Sequence, residues 1–205
     1  MKSPRSKSRH TRNKKTTNYL RIIGGQWRSR KLAIPDLPGL RPTTDRVRET
    51  LFNWLMQAIP GANCLDAYSG TGALGLEALS RGAKFVQFIE TSPAAAQQLS
   101  QHLSQLQVSR DDANITNTDA VMWLSQPGNQ QFDVVFLDPP FHQGLLNQTC
   151  QLLETGDWLA ADAYIYVEAE QDLTTLQVPA CWQIHRQKQA GQVCFYLFKR
   201  HLTES

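Results

Sequence analysis

The chain has 205 residues, 41% of them hydrophobic and 19% charged, an ordinary globular composition that suits one domain or one domain with an arm. No apolar run approaches the roughly 18 residues of a membrane span, and the basic start MKSPRSKSRHTRNKK leads into no apolar core, so neither an anchor nor a secretory signal is expected. The net charge of +3 hides an asymmetry: residues 1–48 hold 14 of the 21 Lys and Arg against only Asp36 and Asp45, a local +12, while the rest of the chain nets −9, a distribution that points to nucleic-acid contact.

In chain order, residues 1–18 are Ser, Lys, Arg and Thr-rich and are expected to be a disordered basic arm. "YLRIIGGQWRSRKLAI" (19–34) places two apolar runs around Gly24-Gly25 and reads as a hairpin. Arg21, Arg28, Arg30 and Lys31 flank Trp27 within it, and a proline-rich connector follows with Arg41. From Asp45, Val47, Leu51, Trp54 and Leu55 follow helical spacing, with Thr44 as N-cap and Pro60-Gly61 as the stop. The chain then alternates. Strands are expected at 64–68, 85–90, 115–119, 132–138 and 163–170, and helices at 73–81, 93–106, 121–124 and 144–154. "CWQIHRQKQ" and "QVCFYLFKR" form a closing antiparallel pair around Ala190-Gly191. Such alternation predicts a parallel α/β sheet covered on both faces. The four cysteines (Cys64, Cys150, Cys181, Cys194) show neither CxxC pairing nor metal-ligand spacing; they read as free thiols of a reducing cytoplasm, buried for packing, and no metal is expected.

Chemistry enters with "LDAYSGTGALGLEAL", where Gly70-x-Gly72-x-x-Gly75 joins a strand to a helix and Glu90 follows at the next strand end. Glycines let backbone approach a ligand, and the acid on the second strand takes ribose hydroxyls. Asp66, just before the loop, would repel a pyrophosphate and attract a positively charged amino-acid tail. S-adenosylmethionine carries an ammonium, a sulfonium and a ribose but no phosphate. Asp66 is therefore expected at its amino-acid end, directly or through water, Glu90 on the ribose diol, and Asp119, at the third strand tip, on the adenine amine. Tyr68, Thr71, Thr91 and Ala120 flank these positions and complete the expected cofactor set. Asp66 and Asp119 have an alternative reading as turn and cap residues.

The fourth strand stops at Asp138-Pro139-Pro140-Phe141. Proline lacks an N–H and holds the preceding residue extended, so the tip offers a carboxylate and bare carbonyls beside an aromatic face. That suits an exocyclic amine of a nucleobase. The Asp138 carboxylate and Pro139 carbonyl accept its two hydrogens, Phe141 stacks on the base, and the nitrogen lone pair is left aimed at a sulfonium methyl. His142 is not needed as a base, because a neutral amine requires no strong base before transfer. A nicotinamide dehydrogenase would explain the glycine loop but neither Asp66 nor the tip. A DNA adenine-N6 methyltransferase shares the Asp-Pro-Pro-aromatic logic but usually needs an added recognition region.

Taken together, "RIIGGQWRSRKLAIPDLPGLRPTTDRVRETLFNWL", "CLDAYSGTGALGLEALSRGA", "FIE", "FLDPPF", "WLAADAYIYVE" and "AGQV" resemble the bacterial 16S rRNA guanine-N2 methyltransferases of the small ribosomal subunit, the RsmD family, over residues 19 to about 200. The resemblance implies a class I methyltransferase fold, Rossmann-like, with a seven-stranded mixed sheet, helices on both faces and a closing hairpin. It also implies S-adenosylmethionine as donor and one guanine of 16S rRNA, position 966 in the usual name, on a small-subunit (30S) particle. Asp66, Gly70, Gly72, Glu90, Asp119 and the Asp138–Phe141 tetrad carry over. The expected organisation is a basic arm to residue 18 and a single methyltransferase domain from 19 to 205, monomeric and cytoplasmic. Residues 19–44 form its RNA-contacting hairpin and connector, and Arg21, Trp27, Arg28, Arg30, Lys31, Arg41, Arg46 and Arg48 are the candidate RNA contacts. Six phosphate contacts would lower affinity by roughly 10³ between 50 and 200 mM salt.

Overall fold

A computed structural model describes residues 18–34, 44–140, 143–169, 176–190 and 193–201; the basic arm before Asn18, Arg41 with its connector, Phe141 and His142 lie outside the described residues. Nine strands are described: β1 (Asn18–Arg21), β2 (Lys31–Ile34), β3 (Asn63–Asp66), β4 (Phe85–Ile89), β5 (Ala113–Thr116), β6 (Phe132–Leu137), β7 (Leu159–Ala169), β8 (Trp182–Ala190) and β9 (Val193–Arg200). The helices are α1 (Asp45–Trp54), α2 (Ala73–Ser80), α3 (Pro93–Gln105), α4 (Ala120–Leu124) and α5 (Leu145–Thr155).

Seven strands form one sheet in the order β5-β4-β3-β6-β7-β9-β8. β5 through β7 run parallel, and β9 lies antiparallel to both β7 and β8. The chain works outward from β3 to β5 and then returns to lay β6 on the other side of β3. That switch opens a crevice at the carboxyl ends of β3 and β6, where ligands of doubly wound sheets bind.

Both sheet faces are buried, and the side-chain period of two assigns residues to each. Cys64, Val134, Phe136, Tyr166 and Phe195 pack on one face with α1, α2, α3 and the hairpin residues Leu20, Ile22, Leu32 and Ile34. Leu65, Val135, Leu137, Ile165 and Val167 pack on the other with α4 and α5. The β1–β2 hairpin is a separate two-stranded sheet, yet its inner side chains share the first core. Its turn docks on the end of α2. The Gln26 N–H donates to the Ser80 carbonyl at 2.7 Å, and the Ser80 hydroxyl donates to the Gly24 carbonyl at 2.6 Å. Gly25 has φ +74°, and a Cβ there would lie 1.7 Å from the Ser80 oxygen, so only glycine permits the approach.

Several boundaries differ from the sequence expectation. The hairpin begins one residue early, because Asn18, assigned to the arm, pairs with Ile34. Thr44 caps α1 as expected, its hydroxyl accepting from Val47 N–H. The helix ends at Trp54, short of Pro60-Gly61, and Leu55 and Ile59 reach the core from the turns that follow. β5 is shifted back to 113–116 because pairing with Val86–Ile89 sets its register, which frees Asp119 to cap α4. β7 starts at Leu159 rather than 163, since Phe132 pairs with Leu159 before a register shift brings Val134 to Tyr164. Of the four free cysteines, Cys64 and Cys150 are buried while Cys181 and Cys194 are half-buried, so core packing describes only the first two.

Candidate active site

The glycine loop is tied to two acids. Asp66 ends β3 only 2% exposed, and its Oδ2 accepts the Gly75 N–H at 2.9 Å. Gly75 is required by packing, since a Cβ would sit 2.1 Å from the Phe88 ring. Glu90 brackets the loop from β4, with Oε2 accepting the Gly70 N–H at 2.7 Å and Oε1 accepting the Ser92 N–H at 2.7 Å. Asn117 donates its side-chain amide to the Glu90 and Thr91 carbonyls, which joins this turn to the end of β5. Asp119 is the N-cap of α4, its Oδ1 accepting from the Met122 N–H at 2.9 Å, so the cap reading applies to at least one of its oxygens. Thr71 and Ala120 are buried and Thr91 is exposed. The half-buried Tyr68 shares a 2.6 Å hydrogen bond with Thr149 of α5, and burial, against that bond, raises its phenol pKa to about 12.

Beside the loop lies a row of acids. Asp66, Asp138 and Glu168 end the adjacent strands β3, β6 and β7. Continuing the alternation from Cys64, Phe136 and Tyr166 puts all three on the α1 face of the sheet. Asp138 is half-buried, Pro139 buried and Pro140 exposed. Glu168 is 8% exposed, and its Oε2 accepts from the Tyr166 hydroxyl at 3.0 Å. Burial first, then the charges of Asp138 and Glu90, raise the Asp66 pKa to about 7 against the Gly75 hydrogen bond. Burial and then Asp138 raise Glu168 to about 7 as well, against the bond from Tyr166. Residue 138 therefore lies near enough to both acids to oppose their ionisation. Among the described residues no cation enters either balance. Such a cleft rejects phosphate and favours a cationic ligand with hydroxyl and amine donors.

Glu168 and Tyr166 were not singled out from sequence. The signal was present, because "YIYVEAE" breaks an apolar strand with an acid just as "CLD", "FIE" and "FLD" do.

The basic candidates separate into two groups. Arg28, Arg30, Lys31 and Arg46 are exposed. Arg21 is exposed too, though its Nη2 pairs with Asp45 at 2.8 Å. Trp27 is half-buried and packs against the core. Arg48, expected at the RNA surface, is 1% exposed and is corrected to a buried structural residue. It lies on the inward face of α1 with Val47 and Leu51, where Nη2 donates to the Arg21 carbonyl at 2.9 Å and pairs with Asp45 at 2.6 Å, and Nη1 stands 3.7 Å from Glu77 Oε2. Glu77 itself is fully buried. It accepts from the Ile23 and Gly24 N–H groups and from Arg81 Nε, so it pins the hairpin turn to α2. Sequence reading passed over it as one polar residue in an apolar helix, all eight residues of which prove to be buried.

Comparison with known proteins matches this architecture. The family model described as Conserved hypothetical protein 95 matches residues 20–199. The chain is 53% identical over 184 residues, 90% of its length and 91% of the relative's, to ribosomal RNA small subunit methyltransferase D of Escherichia coli strain K12. It is 48% identical to the protein of that name from Haemophilus influenzae, covering 88% of this chain and 93% of the relative. A solved structure of the putative methyltransferase yhhF from Escherichia coli superposes with a TM-score of 0.84 at 50% identity, covering 90% of this chain and 99% of that one. More distantly, a putative methyltransferase, SMU.776, solved with SAH shares the fold with a TM-score of 0.59 at 13% identity, covering 75% of this chain and 48% of that one. The chain belongs to the family of ribosomal RNA small subunit methyltransferase D.

Proposed function

We propose that this protein transfers a methyl group from S-adenosylmethionine to the exocyclic N2 amine of a guanine in 16S rRNA, position 966 in the family's usual name, presented on a small-subunit particle in the cytoplasm. The observation that carries the reading is the placement of Asp138 and Pro139 at a strand tip beside Asp66 and Glu90, where the carboxylates among the described residues raise one another's pKa.

The donor's chemistry fits these residues: a ligand with ammonium and sulfonium charges, a ribose diol and an adenine amine, and no phosphate. Bound there, it supplies an electrophilic methyl carbon. Asp66 offers negative charge toward the amino-acid end while holding the loop through Gly75. Glu90, already fixed by Gly70 and Ser92, keeps carboxylate lone pairs for the ribose. Asp119 caps α4 through Oδ1, and Oδ2 remains to accept the adenine amine. The Asp138 carboxylate and the Pro139 carbonyl accept the two hydrogens of the base amine. Asp138 then takes the proton which the nitrogen gives up as it gains the methyl carbon. Positioning and charge account for the rate, and no covalent enzyme intermediate is needed. Exposed Arg28, Arg30, Lys31 and Arg46 contact phosphates, which orients the RNA without reading its sequence.

The test is transfer of tritiated methyl to small-subunit particles, naked 16S rRNA and duplex DNA from cells lacking the protein, with the product nucleoside mapped. N2-methylguanosine at one rRNA position is expected. Label on adenine N6 in DNA would replace the reading.

A further inference from the structure

We propose that the closing hairpin, β8 with β9, is a second contact for the RNA backbone: Arg186 and Lys188 on its edge strand, with Lys199 beside them, hold phosphates on the flank of the cleft opposite the β1–β2 hairpin. The proposal rests on the reading of the substrate as RNA and adds to it a surface at the other end of the sheet.

Charge singles this hairpin out. Past residue 48 the chain nets −9, from seven Lys and Arg against sixteen acids. Four of the seven, Arg186, Lys188, Lys199 and Arg200, fall within residues 182–201, which contain no acid. The remainder of that body holds three cations against the same sixteen acids, a net −13. Arg200 is used inside the fold, where Glu154 meets its guanidinium at 2.6 Å. Arg186 and Lys188 are exposed, and β8, the edge of the sheet, is exposed along its length after Trp182 except at the half-buried His185. Arg186 Nη1 donates to the carbonyl of His185, its chain neighbour, at 2.9 Å. Lys199 lies 5.6 Å from the centre of the Tyr164 ring, which the His185 ring meets edge-on at 5.5 Å. Its ion pair is with Asp162, 80% exposed and 3.8 Å away, and an exposed pair of that length contributes little and yields to a phosphate.

Register ties these cations to the cleft. Beyond the register shift at His185 the pairing of β8 with β9 is unbroken to Ala190, and directly paired residues share a face. Lys188 pairs with Phe195, and Phe195 with Glu168, while residue 138 follows Leu137, the partner of Val167. Lys188 therefore lies in the same row of the sheet as Asp138, three strands over, about 14 Å at the usual strand spacing. Arg186 lies one row back, in line with Leu197, Tyr166, Phe136 and Asp66. Between the two basic elements runs α1. It starts at Asp45, which pairs with Arg21 of β1, and ends at Trp54, whose ring packs 5.6 Å from that of Phe195 on β9. A phosphate backbone crossing the acidic strand tips thus meets cations on both sides. Cations on an edge strand also discourage pairing with another chain, so self-association is the competing role.

The experiment compares the full chain with two double variants of equal charge change, Arg186→Glu with Lys188→Glu, and Lys84→Glu with Arg110→Glu. Lys84 and Arg110 are exposed and precede β4 and β5, at the end of the sheet away from the strand tips. Affinity for small-subunit particles and for naked 16S rRNA is measured over a salt series, donor affinity by calorimetry and self-association by sedimentation. The β8 variant should bind RNA roughly tenfold more weakly and lose about two units of salt slope, with donor affinity and sedimentation unchanged, while the Lys84 and Arg110 variant stays within about threefold of wild type. Equal losses in both variants would mean that net charge alone acts. An undiminished affinity in the β8 variant, with or without self-association, would leave its cations as a guard against strand pairing. Either result overturns the proposal. Binding is read apart from methyl transfer, so a different target base would defeat the guanine reading and leave this comparison standing, whereas a wild type that binds neither particles nor rRNA would defeat the RNA reading and the proposal with it.

Discussion

Glu77 beneath the N-terminal hairpin and Glu168 at the strand tips are both buried carboxylates, yet their surroundings carry opposite charge. Glu77 is enclosed by Arg48, Arg81 and two backbone N–H groups, so its charge is matched within the fold. Glu168 faces Asp138 and a tyrosine, and Asp66 nearby faces Asp138 and Glu90. One cluster carries its own counter-charges, although Arg48 Nε and Nη1 find no hydrogen-bond partner among the described residues. In the other, among the described residues, no cation contributes to the raised pKa of Asp66 or Glu168, which makes it the stronger candidate for a ligand site.

The largest break in this contrast should come from Asp138→Ala. Turnover is expected to fall by about 10²–10⁴, as for loss of a transition-state positioning group, with donor affinity nearly intact. Unchanged turnover would exclude Asp138 from the mechanism. Glu77→Ala should do the reverse. Breaking a buried, matched charge cluster costs about 3–5 kcal/mol, a fall in Tm of roughly 6–20 °C for a chain this size, readable by calorimetry, while the folded fraction still binds donor. Asp66→Ala should weaken donor binding by roughly 10–100-fold, since it removes both a charge and the acceptor of the Gly75 N–H.

A smaller effect distinguishes the two clusters by pH. The Asp66 pKa is raised to about 7 in the fold, above its unfolded value, so the protein binds the extra proton when folded. Its contribution to stability is full below the ordinary carboxylate range and is lost as pH rises through about 7. The free protein should therefore melt lower at pH 8 than at pH 5.5. Donor binding should run the other way, strengthening as Asp66 ionises and releasing a proton, which calorimetry in buffers of different ionisation enthalpy measures directly. The smallest expected change is in the salt slope. Replacing Arg28 and Arg30 together by alanine should reduce the slope of log affinity for RNA by about two units and leave donor affinity alone, whereas Arg48→Ala should lower stability and spare the slope.

Much of the candidate site's layout was legible because strand ends and loops write chemistry into short runs. Asp66, Glu90 and Asp138 each terminate an apolar run, and the register of three strands brings them together. Arg48 was misread because a basic residue in a basic segment gives no sign of which way it points. It sits on the same helix face as Val47 and Leu51, and its burial is tolerable because Asp45, the Arg21 carbonyl and, at 3.7 Å, Glu77 of α2 surround its charge. Glu168 was passed over because its meaning depends on the neighbour, not on its own strand.

By itself the chain determined which segments pair with water and which with the core, where backbone must turn, and the types of residue at each strand tip, since these follow from local patterning and sterics. Tertiary structure alone decided which tips became neighbours, which arginine was enclosed and which acids lie close enough to raise one another's pKa. Those outcomes depend on distances between residues up to 102 positions apart, from Asp66 to Glu168, and electrostatic energy is governed by distance in space rather than along the sequence.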